Sequence, residues 1–356
     1  MPRPETPDLA ALRPRLPSPL EPADDERFTR HGVRLLLKRD DLIHPELAGN
    51  KWRKLAPNLR AAAASGRRTL LTFGGAYSNH LRATAAAGRL LGFATVGVVR
   101  GEELADRPLN PSLTRCAADG MRLCFVDRAA YRRKSEPGVL AAFLGRAGLD
   151  PDAVYVVPEG GSNALAARGC AELGRELRGD LHGDPHGDMR GAAGTVVAVA
   201  CGTGGTLAGL AAGLGGGTRA VGFPVLRGDF LEREIRRLQQ AAFGGPVGDW
   251  RLDGRFHFGG FARTTPALDA FAEEFGERHG LRVERLYVAK MLYGLTTLAE
   301  EGAFPPGTTV AAVITGGPEP SAPEPSPPGM SGPEPSRPGP SDREPSPPEP
   351  PQPSSR

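Results

Sequence analysis

Short apolar runs alternate along most of the chain with longer stretches rich in Ala, Leu and Arg. The apolar runs are rich in β-branched residues and predict strands at Val33–Lys38, Thr69–Phe73, Thr95–Val99, Arg122–Val126, Ala153–Val157, Thr195–Ala200, Ala220–Phe223 and Val310–Thr315. The longer stretches predict helices at Trp52–Ala64, Ser78–Leu91, Pro111–Ala118, Val139–Ala147, Ala164–Leu177, Thr206–Ala212, Phe230–Ala242, Thr265–Phe275 and Met291–Glu300. Strand–helix alternation favours an α/β fold with parallel sheets covered by helices on both faces.

The pattern ends near residue 317. Residues 318–356 contain 16 of the 36 prolines of the chain, with 8 Ser and 3 Gly among the 39 positions. Such a segment cannot bury enough apolar surface to offset the entropy lost on ordering, so we expect a disordered tail. Its repeated Pro-Glu-Pro units also resemble polyproline ligands, although a solvated extension explains them as well. The remaining 317 residues are enough for two domains.

Charge and cysteine usage exclude several classes of protein. The 44 basic and 41 acidic side chains give a net charge of only +3, which does not indicate a nucleic-acid partner. The sequence has no apolar stretch long enough to span a membrane, and its first 30 residues have no secretory apolar core. The 4 cysteines have neither CxxC nor metal-site spacing, so we expect a reduced cytoplasmic setting.

One glycine-rich run follows a predicted strand and opens a predicted helix. It comprises Cys201, Gly202, Thr203, Gly204, Gly205 and Thr206. Such a turn exposes consecutive backbone N–H groups at the positive end of a helix, which favours a phosphate. Leu207 breaks the dinucleotide-binding spacing, and no lysine completes a nucleotide-binding P-loop. The run therefore predicts either a site for a single phosphate or an ordinary strand-to-helix turn.

Lys51 and Lys54 lie three residues apart at the start of a predicted helix for which Asn50 is a suitable N-cap. Two cations at the positive end of a helix are unfavourable unless something compensates them. They could meet an anion, or one could be neutral and act as a Schiff-base nucleophile. An exposed basic turn explains the same residues without any function.

Further glycine turns follow other predicted strands. They are Thr72–His80, with Ser78 or Asn79 as a helix cap, Val157–Asn163, and Ile314–Gly317. We expect His80 to be packed rather than catalytic. Open α/β sheets bind ligands at the carboxyl ends of their strands. Several such turns together with a lysine at a helix start suggest a phosphate-bearing aldehyde between two domains, and pyridoxal phosphate fits that description.

From about Leu16 to Gly317 the chain resembles a known family. The matching motifs are LPSPLEP (16–22), KRDDL (38–42), GNKWRKL (49–55), FGGAYSNH (73–80), PEGGSNALAARGC (158–170), CGTGGTLAGL (201–210), HFGGFARTTP (257–266) and TGG (315–317). In this order they resemble the 1-aminocyclopropane-1-carboxylate deaminase and D-cysteine desulfhydrase family. That family has the fold-type II, tryptophan synthase beta-like architecture of pyridoxal-phosphate enzymes.

The resemblance implies roles for individual residues. Lys51 would form the Schiff base with pyridoxal 5'-phosphate and move the Cα proton, with Ser78 and Tyr287 as further catalytic residues. The implied cofactor-binding residues are Lys51, Lys54, Asn79, Gly202, Thr203, Gly204, Gly205 and Thr206, and no metal is implied. The implied activity is that of a lyase or deaminase that acts on a small amino acid, D-cysteine being favoured, and releases a 2-oxo acid and ammonia. An amino-acid racemase and a non-catalytic cofactor-holding protein are the alternatives.

Three positions depart from the family pattern. Val288 stands where the deaminases carry Glu and the desulfhydrases usually Thr, facing the pyridine nitrogen, Ala289 replaces a usual glycine, and Phe261 replaces a tyrosine. Since valine cannot hydrogen-bond, we expect a weaker electron sink. Together these changes argue against ring-opening deamination.

The resemblance also implies an organisation for the whole chain. We expect a large cofactor-binding domain from residues 1–53 and 160–317, a small α/β domain from residues 54–159, and a homodimer.

The Gly-rich stretch Arg178–Gly191 predicts a loop, in which His182 and His186 are expected to be solvated rather than to bind a metal.

Overall fold

The computed structural model describes residues 8–47, 49–182 and 193–316, which belong to one compact unit. Ten strands are present in this part of the chain. They are β1 (Leu20–Ala23), β2 (Arg34–Lys38), β3 (Thr69–Gly74), β4 (Ala94–Arg100), β5 (Met121–Val126), β6 (Val154–Val156), β7 (Thr195–Cys201), β8 (Thr218–Pro224), β9 (Asp249–Leu252) and β10 (Thr309–Val313). All eight predicted strands are present, and the short strands β1 and β9 are additional.

The strands form two sheets. One has six strands in the order β1-β2-β10-β7-β8-β9, and the other has four in the order β5-β4-β3-β6. Only β1 is antiparallel to its neighbour, with Leu20 opposite Lys38, and every other pairing is parallel. Parallel strands need helical crossovers, which accounts for the alternation in the sequence.

Eleven α-helices lie in the described part of the chain. They are α1 (Glu26–Thr29), α2 (Asn50–Ala64), α3 (Asn79–Leu91), α4 (Pro111–Ala118), α5 (Arg128–Arg132), α6 (Pro137–Arg146), α7 (Ala164–His182), α8 (Gly205–Leu214), α9 (Phe230–Phe243), α10 (Pro266–His279) and α11 (Val288–Glu300). None of the described helices combines the length and apolar character that crossing a membrane requires.

Helices α7 and α8 approach each other through glycines. A Cβ on Gly209 would lie 2.1 Å from the carbonyl oxygen of Ala167, and one on Gly213 would lie 2.0 Å from that of Ala171. Only glycine fits at such distances. This contact holds α8, and with it the glycine run at its start, against the centre of the molecule.

Two local predictions are wrong. Asn50 is the first residue of α2 and Gly49 is its N-cap, so Asn50 does not cap the helix with its side chain. Helix α7 continues through His182, where a loop is predicted from Arg178. The reason is that Leu177 and Leu181 extend the buried face of α7 by another turn. The predicted tail, His186 and the side chain of His182 lie outside the described residues.

The domain boundaries stay a prediction. Residues 54–159 contain all four strands of the second sheet, and the boundary at residue 53 falls inside the continuous helix α2.

Candidate active site

The candidate residues lie at the carboxyl ends of strands in both sheets. Strand β3 leads into Ser78 and Asn79, β7 into Gly202, and β10 into Thr315. Parallel strands place these ends at one edge of each sheet, where open α/β proteins bind ligands.

The start of α2 lies against the end of β10. Gly49 has φ +61°, and a Cβ there would lie 1.6 Å from the carbonyl oxygen of Thr315. The backbone N–H of Asn50 donates to the same oxygen at 3.3 Å. Glycine is required at position 49 both by the backbone conformation and by the lack of space. This contact sets where Lys51 enters the site.

Asn50 connects Lys51 to the glycine run. Its Nδ2 donates to Oγ1 of Thr206 at 3.0 Å, and its Oδ1 accepts from Nζ of Lys51 at 3.0 Å. The Lys51 amine is therefore tied through one side chain to the first turn of α8. Sequence reasoning treated Asn50 only as a helix cap and missed this connection, because Thr206 is far away along the chain.

Burial and the charge of Lys54 lower the pKa of Lys51 to about 7, although Cys170 and Glu284 act in the opposite direction. Near neutral pH a large share of the amine is consequently unprotonated. An unprotonated lysine amine is a nucleophile and a base.

Lys54 lies under the glycine run. Its side chain is 3% exposed, and its Nζ donates to Oγ of Ser162 at 3.1 Å and to the carbonyl oxygen of Gly160 at 3.2 Å. Ser162 Oγ is in turn 2.6 Å from Oγ1 of Thr203. Among the residues that the structure describes, no carboxylate forms an ion pair with Lys54. Lys54, Ser162 and the glycine run Gly202–Thr206 together form a pocket, called the polar cup below, and none of these residues carries a negative charge.

The cup has room only for small residues at its rim. A Cβ on Gly205 would lie 2.6 Å from Oγ of Ser162 and 3.3 Å from Nζ of Lys54, and Gly204 has φ +77°. N–H groups in the first turn of a helix have no intrahelical acceptors, and the first turn of α8 begins at this cup. The predicted residues Gly202–Thr206 and Lys54 are thus brought together, with Ser162 as a member that the sequence did not single out.

Ser78 caps α3, its Oγ accepting from the N–H of Leu81 at 3.3 Å. The Oδ1 of Asn79 accepts from Nη2 of Arg82 at 2.6 Å. His80 is 2% exposed and lies 2.8 Å from Oγ1 of Thr72. Burial, with the charges of Lys51 and Lys54, holds the pKa of His80 well below its usual range, so it is neutral. Its burial agrees with the expectation that this histidine is packed.

Tyr287 immediately precedes α11, and its phenol lies beside the glycine run. A Cβ on Gly202 would be 3.1 Å from Cε1 and 3.3 Å from the hydroxyl oxygen of Tyr287. The ring of Phe261 packs edge-on against the tyrosine ring at 5.8 Å between centroids. Burial raises the pKa of Tyr287, so the hydroxyl keeps its proton at neutral pH.

The turn before Tyr287 contains a buried acid that the sequence analysis missed. Glu284 is 8% exposed and accepts three backbone hydrogen bonds from residues 286–288. An acid shortly before a helix start was the available signal, since negative charge near a helix N-terminus is favoured and can accept from its free N–H groups. Val288 is fully buried in the apolar cluster that includes Val221 and Leu292.

Residues 13–316 match the family model described as "Pyridoxal-phosphate dependent enzyme". A "Putative 1-aminocyclopropane-1-carboxylate deaminase" of Pyrococcus horikoshii is 28% identical over 294 residues, covering 80% of this chain and 85% of the relative. A "D-cysteine desulfhydrase" of Yersinia pestis is 33% identical over 180 residues, covering 48% of this chain and 53% of the relative.

Among solved structures, one described as an "ACC deaminase homologue" superposes with a TM-score of 0.69 at 26% identity, covering 88% of this chain and 95% of that one. An O-ureido-L-serine synthase at 15% identity, with a TM-score of 0.57, shares the fold, covering 84% of this chain and 89% of that one. The fold-type II architecture and the family resemblance inferred from the motifs are confirmed. The chain belongs to the family of pyridoxal-phosphate dependent enzymes.

Proposed function

We propose that this protein is a lyase that converts D-cysteine and water into pyruvate, ammonia and hydrogen sulfide. The observation that carries the proposal is the Lys51 amine. With a pKa lowered to about 7, a substantial share of it is unprotonated near neutral pH, and Asn50 holds it to the glycine run beside the protonated phenol of Tyr287. The relatives named as D-cysteine desulfhydrase and as 1-aminocyclopropane-1-carboxylate deaminase support the reaction class.

The residues present fit pyridoxal phosphate. The polar cup of Gly202–Thr206, Ser162 and Lys54 offers helix N–H groups and a buried amine that pairs with no carboxylate of the described residues, which suits a phosphate. Lys51 supplies the nucleophilic amine that an aldehyde requires. We assign Lys51, Lys54, Asn79, Gly202, Thr203, Gly204, Gly205 and Thr206 to cofactor binding.

When bound, pyridoxal phosphate supplies the electron sink that makes the Cα–H bond of an amino acid acidic. Lys51 Nζ is then the base that takes the Cα proton, because its lowered pKa leaves it able to accept one near neutral pH. Asn50 Oδ1 restricts the direction from which Nζ approaches. Glu284 is the carboxylate whose charge opposes the lowering of this pKa.

Tyr287 and Ser78 are proposed to act on the leaving group. The phenol of Tyr287 retains its proton because burial raises its pKa, so it can donate that proton to a departing thiolate. Ser78 stands at the first turn of α3, where its hydroxyl can relay a proton or orient the substrate. The homodimer, the cytoplasmic location and the small domain of residues 54–159 remain predictions.

The test is pyruvate release by the purified protein loaded with pyridoxal phosphate. D-cysteine and 1-aminocyclopropane-1-carboxylate are supplied in parallel, and pyruvate is followed by coupled reduction to lactate. We expect pyruvate from D-cysteine, with equimolar sulfide, and none from the Lys51→Ala variant. Absence of pyruvate from D-cysteine with the wild-type protein would refute the proposal. Recovery of L-cysteine instead would establish a racemase.

A further inference from the structure

The Glu284 carboxylate is fully engaged by the turn that carries Tyr287. Its Oε1 accepts from the N–H of Leu286 at 2.8 Å, and its Oε2 accepts from the N–H groups of Tyr287 at 2.7 Å and Val288 at 3.2 Å. The carbonyl oxygen of Glu284 accepts from the N–H of Ala289 at 2.9 Å. One residue therefore fixes the backbone on both sides of the tyrosine.

Without Glu284 these N–H groups, one buried and two partly buried, would lose their acceptors. Tyr287 occupies the N-cap position of α11 and makes no side-chain cap bond, and Val288 is the first residue of the helix. The first N–H groups of a helix need acceptors from outside it, and an acid there is also favoured by the helix dipole. The direction of the Tyr287 side chain, towards Gly202, thus depends on this carboxylate.

The charge of Glu284 also reaches the candidate catalytic groups. It raises the pKa of Lys51 against the effects of burial and of Lys54, and it raises the pKa of Tyr287 together with Glu159. Lys290 and Arg82 are the other charged groups that interact with it. Burial raises the pKa of Glu284 itself, and the three N–H donors act in the opposite direction.

We propose that Glu284 is a positioning residue for the lyase reaction, holding the Tyr287 phenol beside Gly202. This inference rests on the proposed function, because it takes Tyr287 and Lys51 to be the groups that move protons. A purely structural helix cap would affect stability and leave the chemistry of Lys51 unchanged.

The first measurement follows Lys51 in the cofactor-free protein. Lysines are acetylated with limiting acetic anhydride at a series of pH values, and the labelling of Lys51 is quantified by mass spectrometry. In Glu284→Gln the loss of negative charge should move the Lys51 labelling midpoint to lower pH. The matched control is Glu277→Gln, an exposed acid on α10, which should leave the midpoint unchanged. Equal midpoints in Glu284→Gln and wild type would contradict any effect of this carboxylate on Lys51 beyond that of a structural helix cap.

The second measurement tests positioning with a double-mutant cycle on the loaded enzyme. Glu284→Gln should lower kcat about tenfold, the effect of losing hydrogen bonds to a charged group. In a Tyr287→Phe background the same substitution should change kcat much less, because the hydroxyl that Glu284 positions is absent. Additive losses would overturn the positioning role.

The experiment distinguishes a folding defect and a failure of the proposed function from a failure of the inference about Glu284. If Glu284→Gln does not fold, Glu284→Asp, which keeps the charge on a side chain shorter by one methylene, replaces it in the cycle with the same expectation. If the wild type releases no pyruvate from D-cysteine, the proposed function fails, while the labelling of Lys51 still decides whether Glu284 acts on that amine.

Discussion

Lys51 Nζ donates a 3.0 Å hydrogen bond to Oδ1 of Asn50, and the amide of Asn50 donates onward to Thr206 at 3.0 Å. The residue before the lysine thereby joins the start of α2 to the start of α8. Replacing it should disturb the amine and the phosphate cup together.

Asn50→Ala should weaken the affinity for pyridoxal phosphate about tenfold, since two hydrogen bonds of about 1 kcal/mol each are lost and water replaces them in part. Equilibrium titration of the cofactor-free protein measures the effect. Asn50→Asp is the companion variant, because it keeps an acceptor for Lys51 but loses the donor to Thr206. It should raise the pKa of Lys51 through its added charge. Wild-type affinity in Asn50→Ala would contradict the role of this residue.

Gly49→Ala should lower the free energy of unfolding by about 3 kcal/mol or more, because the new Cβ meets the Thr315 carbonyl in a left-handed backbone conformation. Gly66→Ala is the matched control. Gly66 has φ +72° with no atom within 4 Å of the added Cβ, so its loss should be about 1 kcal/mol. Urea denaturation of both variants separates the cost of backbone strain from the cost of the steric clash with Thr315. Equal losses of unfolding free energy in the two variants would show that the Thr315 carbonyl moves away from the new Cβ without an energetic cost.

The strands were predictable because β-branched or otherwise apolar runs mark them, and the missed strands β1 and β9 are four-residue segments without such a run. The glycine run and Lys51 stood out by residue type and spacing. What the sequence could not reveal are side-chain partners distant along the chain. Arg53 illustrates this. It is 3% exposed and paired with Asp40 and Glu176.

The cofactor-free protein should take up pyridoxal phosphate faster as the pH rises through about 7. Burial and the charge of Lys54 lower the pKa of Lys51 to this value. Below this pH the amine is protonated and cannot attack the aldehyde, and above it the unprotonated form predominates. Stopped-flow absorbance after mixing the cofactor-free protein with pyridoxal phosphate gives the rate. A rate that rises only near the pKa of an ordinary lysine, about 10, would contradict the lowered value.

Val288→Thr should increase the rate of pyruvate release from D-cysteine by offering the cofactor nitrogen a hydroxyl partner. It should also destabilise the protein by about 1–2 kcal/mol, because Val288 is fully buried among apolar residues. Val221→Thr introduces a hydroxyl into the same apolar cluster and serves as the control, with the stability loss and no gain in rate. An unchanged or lower rate in Val288→Thr would refute this explanation of the departure from the family.

The central claim is that Lys51 is the lysine that holds the cofactor, and borohydride reduction of the loaded protein tests it most directly. Reduction fixes the bond, and peptide mass spectrometry locates it. Lys54 is also buried with a lowered pKa, and Lys290, a fully buried residue, has a pKa of about 8, so both are real competitors. We predict the phosphopyridoxyl group on Lys51 and none on the other two. Its presence on Lys54 or Lys290, with Lys51 unmodified, would contradict the assignment of the site.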